Sequence, residues 1–329
     1  MTKPTKEMLD AMITAEVGDD VFGEDPSVNQ FEQKMARMFG MEAGLFVPSG
    51  TMGNQLSVKI LTQPGDEVII DKTGHVFNYE TGAAAHLSSV QLSTIRGAKG
   101  KLDPDLIEQC IRPKNDWDPR SRVVAIENTT NKGGGACYTE NELTAIMEKA
   151  REHELLIHLD GARIWNAMTT TGTSPEFYGT VSDTMSICFS KGLGAPVGSM
   201  LLASSKHVRL ARRYRKMWGG GMRQAGLLAV AAQYAVDNHQ DYLKEDHRRA
   251  KELAFAISEM DSFSIDPATV ESNIVLFDTV TQTAAAVVEQ LKEMGVGMVS
   301  FGPNTIRATF HFQVDDDDLK KTVQILKNF

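Results

Sequence analysis

The sequence predicts an α/β protein: a parallel sheet flanked by helices, followed by a smaller α+β unit. Three observations carry this reading. Between about residues 43 and 203, short apolar runs alternate with helical stretches; residues 205–260 read as helix with breaks; and beyond 262, strand-like runs mix with two helices.

Residues 5–16 and 27–39 have helical spacing, the second opening after Asp25-Pro26 and stopping at Gly40. The runs Leu45–Val47, Val68–Ile70, Val90–Ile95, Val123–Ile126, Leu155–Leu159, Ser186–Phe189 and Ser199–Ala203 read as strands. Helical stretches such as 52–62, 103–111 and 139–153 separate them, an alternation that implies parallel strands joined by crossover helices. Trp218-Gly-Gly-Gly221 interrupts the helical run, and the charged stretch Tyr242–Lys251 suits a solvated face of a long helix joining two domains. Asn273–Phe277, Gly297–Phe301 and Thr305–Phe312 then read as strands, with helices at 282–294 and 317–328. Asp315–Asp318 stands just before the last helix, where capping and the helix dipole explain acidic residues better than a metal does. The expected division is an N-terminal segment 1–25 packing with the small domain, a large domain 26–240 and a small C-terminal domain 241–329.

Composition narrows the function. With 34 basic and 43 acidic residues the 329-residue chain carries a net charge of −9, which argues against a nucleic-acid partner. Cys110, Cys137 and Cys188 are odd in number and widely spaced, so neither a disulfide framework nor a zinc site is expected, and reduced cytoplasm fits best. The N-terminus lacks the apolar core of a signal peptide, and no apolar run approaches the roughly 20 residues that cross a bilayer. A soluble protein without a membrane partner follows.

The chemistry-bearing residues stand at strand ends. His158-Leu-Asp160-Gly-Ala-Arg163 ends an apolar run in a carboxylate and a guanidinium, where open α/β sheets place ligands; a helix N-cap is the plainer reading of Asp160. Ser190-Lys191-Gly192-Leu-Gly194 ends another, putting an amine on a glycine-flanked turn where a lysine can form a Schiff base. Pyridoxal phosphate needs both: a lysine for its aldehyde and an acid for its pyridinium nitrogen. Pro48-Ser49-Gly50-Thr51-Met-Gly53-Asn54, between a strand and a helix, offers amides and hydroxyls to a phosphate. His86 and His158 read as structural.

These motifs, with Val17-Gly-Asp-Asp-Val-Phe-Gly23, His75-Val-Phe-Asn-Tyr-Glu80, Asp160-Gly-Ala-Arg-Ile-Trp-Asn-Ala167, Ser190-Lys-Gly-Leu-Gly-Ala-Pro-Val-Gly198 and Lys216-Met-Trp-Gly-Gly-Gly-Met-Arg-Gln224, resemble the low-specificity L-threonine aldolases along nearly the whole chain. The resemblance implies a pyridoxal-phosphate enzyme of the aspartate-aminotransferase-like fold (fold type I), with a mostly parallel seven-stranded sheet. It implies that Lys191 holds the cofactor as a Schiff base, Asp160 pairs with the ring nitrogen and His75 stacks on the ring. Gly50 and Thr51 would hold the phosphate, Ser49 and Ser190 would contact the cofactor, Arg163 would contact cofactor and substrate carboxylate, and Thr130 would lie at the substrate. Arg223 would reach a phosphate across a subunit interface, making the protein a homodimer or homotetramer with shared sites, and Arg307 would bind the amino-acid carboxylate. The implied reaction is retro-aldol cleavage of threonine or allo-threonine to glycine and an aldehyde. Rival readings are β-elimination or transamination on the same cofactor, or a non-catalytic homologue.

Two departures from the pattern stand out. Glu127-Asn-Thr-Thr130 has Thr130 where relatives carry a second histidine, which leaves His75, or a water held by it and Thr130, as the base for the β-hydroxyl. The chain also starts at Met1-Thr-Lys-Pro4 without the Arg-Ser-Asp-Thr stretch expected upstream, so either a truncated start or a missing serine contact is expected.

Overall fold

The computed structural model describes residues 2–329. Seven strands form the large sheet: β1 (Ala43–Val47), β2 (Glu67–Asp71), β3 (Gln91–Ile95), β4 (Ser121–Glu127), β5 (Leu156–Gly161), β6 (Thr184–Cys188) and β7 (Ser199–Ala203), in the spatial order β1-β7-β6-β5-β4-β2-β3. The sheet is parallel except at β7, which runs antiparallel to both β1 and β6. The mostly parallel sheet expected from the sequence is thus present, and its one reversed strand has a simple reason. No helix lies between β6 and β7; residues 189–198 fold straight back, tied by the Phe189 and Ala195 amides donating to Gly198 and Phe189 carbonyls, both at 3.1 Å. A parallel pair would need a crossover.

Both faces of the sheet are covered, so the central strands are apolar on both sides. Along β4, Val124 and Ile126 enter the core that holds Phe31, Phe46 and Trp165, while Val123 and Ala125 enter the core that holds Leu45, Leu56 and Leu201. A third core fills the smaller unit, against an antiparallel sheet of β8 (Phe263–Ser264), β9 (Ile274–Thr279), β10 (Val299–Ser300) and β11 (Thr305–Thr309) in the order β10-β11-β9-β8.

The helical run 205–260 is three helices, Ser205–Met217, Gly226–Asn238 and Tyr242–Ser258. The first stops at the glycines, with Gly219 at φ +78. The third bridges the two units as expected: Leu243 sits in the large-sheet core, and Ala250, Leu253, Ala254 and Ile257 in the small one. The N-terminal segment, expected against the small unit, packs mainly elsewhere. Helix Lys6–Ile13 lies on helix Gly226–Asn238 with Met8 in the large-sheet core, because its one buried apolar residue faces that way. The chain before it touches the small unit, where Lys3 and Gln313 exchange hydrogen bonds of 2.7 and 2.9 Å.

Asp315 caps helix Asp316–Leu326 through a capping box, and Asp316 receives Arg248 and Arg249 at 2.6 and 2.7 Å, so the acidic run is structural. All three cysteines are free. No helix among the described residues is long and apolar enough to cross a membrane.

Candidate active site

The site lies at the carboxyl ends of the parallel strands, where their side chains emerge toward the smaller unit. Asp160, four per cent exposed, leaves β5 there. It is not a helix cap: Arg163 holds that position for helix Ile164–Thr171. Instead its Oδ1 accepts the Ala162 amide at 3.1 Å and its Oδ2 accepts Asn54 Nδ2 at 2.8 Å. Asn54 belongs to helix Gly50–Leu61, which Ser49 caps by accepting the Met52 amide at 3.2 Å. That capping leaves the Gly50 and Thr51 amides at the open N-terminus, suited to an anion. A side chain at Gly50 would meet Cys188 Sγ at 2.6 Å, so glycine brings this helix end close to β6.

Asn54 also donates to Glu80 Oε1 at 2.8 Å, and the same oxygen meets His75 Nδ1 at 2.8 Å. Glu80 is fully enclosed and takes a third donor, Gln55, at 2.6 Å. This carboxylate raises His75 above the ordinary histidine value of 6.5; partial burial opposes it, Asp160 adds to it, and Lys191 works against it. Behind His75, half-buried Glu127 accepts its amide at 3.1 Å and that of Asn131 at 3.2 Å. Burial and nearby Asp160 push Glu127 up to about 7, against the pull of His75. His158 is held near 4 by burial, between Asn54 Oδ1 and Thr184 Oγ1, each at 3.0 Å, which fits its structural reading. His86 departs from that reading and lies exposed on helix Ala83–Ser88.

Arg163, Ser190, Lys191 and Arg307 line one cavity of about 290 Å³ with Asn273 and His311. The Lys191 amine has no hydrogen-bond or ion-pair partner among the described residues. Arg307 donates to Asn131 Oδ1 at 2.8 Å and stacks on Phe301 at 4.5 Å, while its Nε is buried without a partner. Burial pulls both arginines below the ordinary arginine range, and Arg307 lowers Arg163 further. Two desolvated guanidiniums facing one cavity are suited to a carboxylate.

His75 and Asp160 line a separate, smaller pocket with Glu127, and two further sequence-derived candidates, Thr130 and Arg223, line neither. Thr130 is one per cent exposed, its hydroxyl donating to the Lys99 carbonyl at 2.9 Å, so it faces into the turn 130–136 and does not line the cavity. That turn is closed by Thr130 and Ala136, and by Gly135 and Thr130, through backbone bonds of 3.0 and 2.8 Å. Arg223 is exposed and paired with Asp19, outside this chain's own site. Sequence reasoning passed over Asn54, Glu80, Glu127 and Asn131 as site residues. The signal for Glu80 was its spacing from His75, and for Asn54 its place one turn into the phosphate-side helix.

The fold and this strand-end cluster belong to a recognisable class. The chain is a member of the β-eliminating lyase family, whose model matches residues 1–280. Among curated relatives, low-specificity L-threonine aldolase 1 of Arabidopsis thaliana is 37% identical over 98% of this chain and 92% of the relative. The low specificity L-threonine aldolase of Escherichia coli K12 is 36% identical over 97% and 94% respectively. Within the class, therefore, the chain falls among the low-specificity L-threonine aldolases. A solved threonine aldolase from Leishmania major superposes with a TM-score of 0.84 over 99% of this chain and 96% of that one at 21% identity, which shows the shared fold.

Proposed function

We propose that this lyase uses pyridoxal phosphate to cleave L-threonine, L-allo-threonine and related β-hydroxy-α-amino acids to glycine and an aldehyde. The observation that carries the reading is the arginine pair beside an unpartnered lysine in one cavity, next to a buried acid held by two donors. The residues fit the cofactor. Lys191 supplies the amine for its aldehyde, Asp160 the carboxylate for its ring nitrogen, and the exposed amides of Gly50 and Thr51, with Ser49 and Ser190, a cradle for its phosphate. His75 would lie against the ring, and Arg223 of a second copy would complete the phosphate site, so the working form is a homodimer or homotetramer. Free thiols fit a cytoplasmic setting.

When bound, pyridoxal phosphate supplies an electron sink for the pair released from the broken Cα–Cβ bond. The protein supplies orientation and proton transfer. Arg307 and Arg163 would grip the substrate carboxylate, and this hold would fix which bond at Cα is presented for cleavage. His75 takes the β-hydroxyl proton: its Nδ1 is held by Glu80, so Nε2 is the nitrogen available, and Glu80 stabilises the imidazolium that results. Asp160 would offer its carboxylate to the ring nitrogen.

Product analysis tests the reading. Purified protein loaded with pyridoxal phosphate and given L-threonine should release glycine and acetaldehyde in equal amounts. Ammonia with a keto acid would favour elimination, a keto acid without free ammonia or aldehyde transamination, and cofactor binding without turnover of either threonine isomer a non-catalytic role.

A further inference from the structure

Asn54 is two per cent exposed and bridges the two buried acids at the base of the site. Its amide nitrogen donates to Asp160 and Glu80, both at 2.8 Å, and its oxygen receives His158 Nε2 at 3.0 Å. The orientation is forced. Ionised carboxylates only accept, so the NH2 must face them, and His158 must then donate from Nε2 and accept the Thr184 hydroxyl at Nδ1. Both hydrogens and the acceptor of Asn54 are used.

The cost of this arrangement shows what Asn54 does. Ligand atoms of Asp160, Glu80 and His75 all lie within 4.8 Å of one another, and both acids are shielded from water. Two carboxylates so placed ordinarily share a proton. Cations offset part of the conflict: His75 pairs with Glu80 at 2.8 Å, and Arg163, from the turn after β5, stands within electrostatic reach of Asp160. Lys191 comes from the loop after β6, His75 from the short helix after β2 and Glu127, a third acid, from β4. Asn54, from its own helix, stands between the two acids.

We propose that Asn54 is a positioning residue that keeps Asp160 and Glu80 ionised together, so that the partner of the ring nitrogen and the partner of His75 are charged at the same moment. The roles of Asp160 and His75 rest on the function proposed above; the hydrogen bonds do not. Without Asn54, the acid pair takes up a proton near neutral pH. Because both Asp160 and Glu80 raise His75, its titration then moves down wherever that proton settles.

The test is NMR titration of the His75 imidazole and the infrared carboxylic-acid band in the full chain, with and without pyridoxal phosphate, for wild type and Asn54→Ala. We expect a new acid band near pH 7 and a His75 midpoint lower by about one unit. Asn54→Ser, which keeps one donor and leaves a smaller void, should shift less and covers the case in which Asn54→Ala does not fold. A folded variant with an unchanged His75 midpoint and no added acid band would overturn the proposal. These readouts need no turnover, so a wild-type protein that cleaves no threonine would end the functional reading and leave this measurement intact.

Discussion

Arg163 and Arg307 stand beside each other on one cavity, and neither has a carboxylate partner among the described residues. Folding desolvates both and brings like charges together, which is unfavourable unless an anion binds. The pair is therefore organised for its ligand and not for stability.

From this, Arg307→Ala should raise KM for threonine and lower kcat/KM about ten- to a hundredfold, since hydrogen bonds to charged groups contribute roughly 1.5–3 kcal/mol. The protein without substrate should melt no lower than wild type, because the repulsion with Arg163 is relieved. Steady-state kinetics with a thermal melt checks both. A clear drop in melting temperature would mean that Arg307 serves the fold through Asn131 and Phe301.

Glu80→Gln tests the histidine. Glu80 is the largest cause of the raised His75 value, so removing its charge should lower the His75 midpoint and move the acid limb of the pH–kcat profile to lower pH, with a smaller kcat. The linkage has a definite sign. A raised folded-state pKa stabilises the protein fully below the ordinary value of 6.5, and that stabilisation fades as pH climbs through the raised value. The variant should therefore lose more stability at pH 6 than at pH 9, when melts are compared at both. An equal loss at both would show that only the neutral hydrogen bonds to Asn54 and Gln55 had mattered.

The strand-end residues were legible in the sequence because an apolar run that stops at Asp160 or Lys191 fixes both the strand and the end of it that meets ligand. The partners were not. Asn54 meets Asp160 across 106 residues of chain, and nothing in local spacing encodes that register. Which strand of the mostly parallel sheet reverses was not legible, because the apolar run of β7 looks like any buried strand; the missing helix before it was the clue. Thr130 was misplaced for a related reason: its neighbours in sequence lead into the cavity through Asn131, while its own side chain turns the other way, to Lys99.

That orientation bears on the histidine expected at this position. At Thr130 the hydroxyl fills a closed turn, and a side chain added at Gly133 would already meet it at 2.3 Å. Thr130→His should thus overpack the turn and cost about 1–3 kcal/mol, a melting drop of a few degrees. Threonine cleavage should not rise. A variant that is both as stable as wild type and faster would mean that this turn opens toward substrate.

Arg223 and Lys191 give the sharpest test of a shared site. Lys191→Ala should abolish both covalent cofactor binding and cleavage, yet leave the melting temperature of cofactor-free protein unchanged, because its amine bonds to nothing in the fold. Arg223→Ala should weaken cofactor binding only in the assembled protein, since in this chain the guanidinium touches Asp19 at the surface and not the cavity. If Arg223 serves the neighbouring copy, a mixture of the two variants, unfolded and refolded together, contains mixed assemblies in which one site has both residues intact. Cleavage measured at limiting cofactor should then exceed that of the two variants assayed separately. If the mixture shows only the sum of its parts, each chain builds its site alone and Arg223 belongs to the surface.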